Sequence, residues 1–153
     1  MKMSKAYQGN LNIRFSQVKE PKKVKICSSR DAYNELVKYY GADVYHKEAF
    51  VVMYLNQANE IICIDTDTVG AMASTSVEIS SVLRKALVIG CRSMIVAHNH
   101  PSGNTKPSEA DRRMTKKLVE ACKLLEISVL DHVIVTGDGS YSFADNGERS
   151  MNG

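Results

Sequence analysis

Ser93-Met94-Ile95-Val96-Ala97-His98-Asn99-His100-Pro101-Ser102-Gly103-Asn104-Thr105-Lys106-Pro107-Ser108-Glu109-Ala110-Asp111 reads as an apolar strand, a polar loop and a helix start. The apolar run Ser93–Ala97 ends at His98, and Pro101, Gly103 and Pro107 punctuate the loop after it. A helix from Ser108 carries Met114, Leu118, Cys122 and Leu125 on one stripe. In an extended backbone, residues two apart point the same way. His98 and His100 therefore share one side, and Asn99 faces the other. Asp111, in the first helical turn, can close over the same point. Two imidazoles and a carboxylate form an N/N/O set, and three such ligands with one open position are the usual form of a catalytic zinc site. Each part also has a plainer reading. Ser108-x-x-Asp111 is a good helix start in its own right, with Ser as N-cap and an acid at N3. A lone H-x-H pair is a weak metal signal. His98-Asn99-His100 spells HNH, but the nuclease motif of that name uses widely separated residues.

Outward from this stretch, Lys23–Cys27 reads as a short strand, and Ser29 as the cap of a helix over residues 31–40 that stops at Gly41. Ala49–Leu55 and Ile61–Ile64 are apolar runs joined by turn-forming Asn56–Glu60, which predicts a β-hairpin. Thr75-Ser76-Val77-Glu78 has the form of a capping box. The helix it opens carries Ile79, Leu83, Ala86 and Leu87 on one face and ends at Gly90. Ile127–Val135 supplies another strand, and Tyr141–Phe143 a short last one. Mixed elements in this order predict an α/β fold, a mixed sheet with helices on its faces.

The chain has 153 residues, 44% of them apolar and 24% charged, which suits one ordinary globular domain. Net charge is only +3, yet residues 1–30 carry +7 and residues 31–153 carry −4. The expected organisation is a basic arm over 1–21, a domain over 22–145 and a flexible tail over 146–153. Cys27, Cys63, Cys91 and Cys122 form no C-x-x-C pair, so no zinc ribbon or thioredoxin-type site is indicated. The N-terminal residues lack the apolar core of a signal peptide, and no apolar run reaches the roughly 18 residues of a membrane helix. A cytoplasmic location is expected.

H-x-H, seven residues, Ser, two residues, Asp matches the JAMM (MPN+) metalloprotease motif at His98, His100, Ser108 and Asp111. HNHPSG, PSEAD, LLEISVLDHVIV and a terminal YSF resemble the RadC-like branch of that family, over roughly residues 22–145. The resemblance implies a three-layer α-β-α mixed sheet of the JAB/MPN, cytidine-deaminase-like type. It implies Zn²⁺ held by His98, His100 and Asp111. It further implies that Glu48, in His46-Lys47-Glu48-Ala49-Phe50, activates water, and that Ser108 stabilises the oxyanion. Without the resemblance, Glu48 is one carboxylate among many. An N-cap serine accepts through its oxygen, which leaves the hydroxyl proton to donate.

The function expected on this basis is zinc-dependent amide hydrolysis, of metallopeptidase or isopeptidase type, on a protein or peptide substrate. The alternative is a DNA-repair or nucleic-acid-associated protein. The long form of the family has a helix-hairpin-helix region, for which there is no room ahead of Lys22. A scaffold that has lost its ligands ranks last, because every ligand is present. A zinc deaminase is disfavoured by the absence of H-x-E and P-C-x-x-C. His132, inside a β run, reads as a packed histidine, with support of the metal shell as the other reading. Arg112, Arg113, Lys116 and Lys117 read as a solvated helix face, with substrate guidance as the other reading.

Overall fold

The computed structural model describes residues 23–70 and 77–153. Its elements are α1 (Ser29–Tyr40), a 3-10 turn (Gly41–Tyr45), β1 (Ala49–Leu55), β2 (Ile61–Val69), α2 (Ile79–Ile89), β3 (Ser93–Asn99), α3 (Glu109–Leu124), β4 (Ser128–Val135), β5 (Ser140–Ser142) and a 3-10 turn (Arg149–Met151). The strands form one sheet in the order β2-β1-β3-β4-β5. Among the described strands β3–β4 pair in parallel, and β1–β2, β1–β3 and β4–β5 are antiparallel. No helix among the described residues is long and apolar enough to cross a membrane.

The continuous apolar run of β1 is explained by cover on both faces of the sheet. Phe50, Val52 and Tyr54 share a core with Val82 and Ala86 of α2 and Met114, Leu118 and Cys122 of α3. Val51, Met53 and Leu55 share the opposite core with Ala32, Leu36 and Tyr40 of α1. The expected three-layer α-β-α arrangement and mixed sheet are thus present. The predicted hairpin is present too, but β2 runs on to Val69. Lys85 of α2 reaches both Asp65 (2.6 Å) and Asp67 (3.2 Å), so one cation ties α2 to the polar end of that edge strand.

Several boundaries differ from expectation. Ser28, not Ser29, caps α1, because its side chain meets the Asp31 N–H at 3.1 Å. Lys23–Cys27 forms no full strand; Lys25 makes one bridge to Glu60. Glu78 sits at the N-cap of α2 rather than at N3, and binds Ser80 and Arg84; Thr75 lies outside the described residues, as does the arm over 1–21. Leu87 is 57% exposed and Val82 takes the buried position. Leu125 lies just past the end of α3 and is partly exposed. Residues 146–153, expected as a flexible tail, fold against α3. Arg112 grips the Glu148 carboxylate through Nε (3.0 Å) and Nη2 (2.9 Å), a bidentate pairing that orders the segment.

Candidate metal centre

The last residues of β3 lie between β1 and β4, on the sheet face covered by α3. Phe50 pairs with His98 across β1 and β3, so the two side chains share a face. Two residues further out, Glu48 and His100 share it as well. The donor atoms of Glu48, His98 and His100 all lie within 4.8 Å of one another. His98 Nε2 is 2.8 Å from His100 Nε2 and 3.3 Å from Asp111 Oδ1. The expected residues thus converge, with Glu48 nearer the histidine pair as a set than Asp111, which approaches His98.

Asp111 is held from below. Its Oδ2 accepts from the Ser108 N–H and the Ser108 hydroxyl, both at 2.7 Å, which leaves Oδ1 toward His98. Ser108 Oγ in turn accepts from the Asp111 N–H at 3.1 Å, completing the capping box of α3. The hydroxyl proton expected to serve an oxyanion is therefore given to Asp111. The plain reading of Ser108 and Asp111 as a helix start is present as a capping box, and it leaves Asp111 Oδ1 3.3 Å from His98 Nε2.

Asn99 faces away from the histidines, as the strand alternation requires, and is fully buried. Its Oδ1 accepts from the Ala49 N–H (2.8 Å); its Nδ2 donates to the Lys47 carbonyl (2.8 Å) and the Val44 carbonyl (3.0 Å). The turn that carries Glu48 is thereby tied to the residue between the two histidines. His132 of β4 is also fully buried and stacks on Phe143, with centroids 4.5 Å apart at 22°. It is the packed histidine expected, and its Nε2 also lies 2.8 Å from His98 Nδ1. Neighbouring Asp131 serves β5 instead, accepting from the Ser142 hydroxyl and the Ala144 N–H.

The donor set fits zinc. Burial lowers the His98 pKa to about 4, and burial likewise pushes His132 well below the ordinary histidine value. Both rings are neutral at physiological pH, so His98 has a lone pair to give. His100 Nδ1 faces the Asn104 carbonyl at 2.5 Å. A carbonyl only accepts, so His100 carries a proton at Nδ1, and Nε2 is the nitrogen it turns toward His98. Neutral imidazole nitrogens beside carboxylate oxygens are the N/O ligands that Zn²⁺ takes.

Thr115, Asn99 and the His132 contact escaped the sequence reading. Asn99 carried a signal, as an amide facing inward between two histidines. So did His132, as a polar residue in a run of valine and isoleucine. Of the basic residues, Arg112 is committed to Glu148 and Glu109. Arg113, Lys116 and Arg149 line an open cleft of about 540 Å³ between α3 and the 146–150 segment.

A family model, the RadC-like JAB domain, matches residues 26–148. The chain belongs to the RadC-like JAB domain family. Among its relatives, the UPF0758 protein YfjY of Escherichia coli K12 is 46% identical over 101 residues, 66% of this chain and 63% of that protein. The UPF0758 protein YkfG of the same organism is 39% identical over 120 residues, 78% of this chain and 75% of that protein. A UPF0758 protein of Methanosarcina acetivorans is 41% identical over 131 residues, 85% of this chain and 56% of that protein. The aligned part of this RadC-like chain spans between about half and three quarters of the length of these relatives.

Proposed function

We propose that this chain is a zinc-dependent amide hydrolase, of metallopeptidase or isopeptidase type, acting on a peptide or protein. The observation that carries the reading is the convergence of Glu48 with His98 and His100 beside a carboxylate locked to its own helix start. His98, His100 and Asp111 would hold the metal. When bound, zinc supplies a Lewis acid and brings the pKa of water to about 7. Glu48 is suited to a different task from Asp111. Both Asp111 hydrogen bonds to Ser108 fix it as a rigid ligand, whereas the Glu48 side chain makes no hydrogen bond or ion pair among the described residues. A carboxylate so disposed takes a proton from attacking water and returns it to the departing amine. Ser108 acts on Asp111, by holding its orientation. The test is zinc stoichiometry by native mass spectrometry on wild type and His100→Ala, with peptide and isopeptide cleavage alongside. One zinc per wild-type chain, lost in His100→Ala together with cleavage, is expected. A wild type that retains no zinc overturns the reading.

A second reading, association with nucleic acid, is favoured by the cleft lined by Arg113, Lys116 and Arg149. The acid in that lining, Glu148, is occupied by Arg112 and the Tyr141 hydroxyl, so the cleft faces outward as a positive surface. On this reading, binding to a DNA oligonucleotide weakens with salt and is lost when Arg113 and Lys116 are both changed to Glu. Equal binding by that variant removes it.

A further inference from the structure

Behind the histidine that the proposed metal function requires lies a line of hydrogen bonds ending on α3. His98 Nδ1 is 2.8 Å from His132 Nε2, His132 Nδ1 is 2.6 Å from Thr115 Oγ1, and Thr115 Oγ1 is 2.6 Å from the Asp111 carbonyl oxygen. His98, His132 and Thr115 are all fully buried, and the contacts along the line are direct. Two neutral proton arrangements satisfy the two ring-to-ring and ring-to-hydroxyl contacts. In one, Thr115 donates to His132 Nδ1, His132 donates from Nε2 to His98 Nδ1, and His98 carries its own proton at Nε2, on the side of the metal centre. In the other, every proton is reversed. The contact at the far end chooses between them. The Asp111 carbonyl only accepts, and a 2.6 Å oxygen–oxygen approach needs a proton between the atoms. The Thr115 proton therefore goes to the carbonyl, one turn back along α3, and Thr115 Oγ1 must accept from His132 Nδ1–H. His132 Nε2 is then bare and accepts from His98 Nδ1–H. His98 Nε2 is left as a lone pair, free to accept at its 2.8 Å contact with His100 Nε2.

We infer that Thr115 and His132 are positioning residues that fix His98 in the Nδ1–H tautomer, so that its Nε2 faces the centre as a ready metal ligand. The inference rests on the zinc reading for its purpose, but the proton arrangement stands without it. It also explains why Asp111 and Thr115 are four residues apart on one helix. Their spacing puts both on one face of α3. One approaches the Nε2 end of His98 directly, and the other controls the Nδ1 end through His132. The lone pair of His98 Nε2 is thus turned toward His100 Nε2, where a shared proton or a cation meets it.

The experiment uses the full chain with ¹⁵N-labelled histidine. Long-range ¹H–¹⁵N spectra of the metal-free protein at neutral pH report which nitrogen of His98 carries the proton. Wild type and Thr115→Ser, which keeps the hydroxyl, are expected to show His98 protonated at Nδ1 alone. Thr115→Val, close in shape but without the hydroxyl, is expected to show the Nε2–H form appearing. Zinc affinity, measured by chelator competition, is expected to fall about 10–100-fold in Thr115→Val and to be restored in Thr115→Ser. A wild-type spectrum with the His98 proton at Nε2 overturns the inference, whether or not any variant folds. So does a folded Thr115→Val with wild-type tautomer and affinity. If wild type shows the Nδ1–H form yet binds no zinc, the tautomer assignment stands and the function reading fails.

Discussion

Glu48→Gln is expected to lower kcat for amide cleavage by about 10²–10⁴-fold and to leave zinc affinity within a few-fold of wild type. Gln keeps the length and shape of the side chain and removes its basicity, so the variant separates proton transfer from packing. Two features make this the sharpest single test of the reaction. Glu48 lies within the 4.8 Å group with both histidines, close enough to serve either as base or as ligand. Among the described residues its side chain also makes no other hydrogen bond, in contrast to Asp111, whose Oδ2 accepts twice from Ser108. A base must move a proton and come back; a ligand must stay. Rates on one chromogenic or fluorogenic peptide, paired with chelator competition, check the assignment. An unchanged kcat removes Glu48 from the chemistry. A parallel tenfold loss of zinc affinity makes it a ligand and transfers the role of base elsewhere.

That Glu48 lies beside His98 and His100 was legible only through family resemblance, and the physical reason lies in the sheet. His98, His100, Ser108 and Asp111 sit on one strand–loop–helix unit, where local alternation and helix capping bring them together. Glu48 arrives from the start of β1, 50 residues before His98 in the sequence, and its position depends on the Phe50–His98 register. No local pattern encodes that register. The tail differs from expectation for the same kind of reason: Asn146–Gly153 looks polar and unpatterned, and its order comes from Glu148 meeting Arg112, 36 positions away. Where competition is local, the error is small. Adjacent Ser28 and Ser29 both suit an N-cap, and the one whose oxygen reaches the Asp31 N–H prevails. On α2 the apolar residues outnumber the buried positions, so periodicity alone could not separate buried Val82 from exposed Leu87. His132 read correctly as a packed histidine. What the strand pattern could not convey was that its two nitrogens join α3 to His98.

The same dependence on register gives Asn99 an outsized role. Asn99→Ala is expected to cost about 3–5 kcal/mol of stability. The change removes the partner of the buried Val44 carbonyl and of the part-buried Ala49 N–H and Lys47 carbonyl, at about 1–3 kcal/mol for each group not rescued by relaxation. For a domain of this size that corresponds to a fall in Tm of roughly 6–20 °C. Because those bonds tie down the turn before β1, the surviving folded protein is expected to lose kcat more than zinc affinity, since Glu48 moves and the histidines do not. Asn99→Asp sharpens the point through its charge. A carboxylate can still accept from the Ala49 N–H, but it faces two carbonyl oxygens where the amide donated. Burial and those oxygens raise its folded-state pKa above the unfolded value of about 3.9. The acid form, which can donate, is therefore favoured by folding. Relative to wild type at each pH, the deficit of Asn99→Asp is smallest below the unfolded pKa and grows as pH rises through the higher folded pKa. Thermal melts of the three proteins from about pH 4 to about pH 8 measure this difference directly. An Asn99→Ala that melts within about 2 °C of wild type and keeps its kcat would show that the turn carrying Glu48 is held by something other than Asn99.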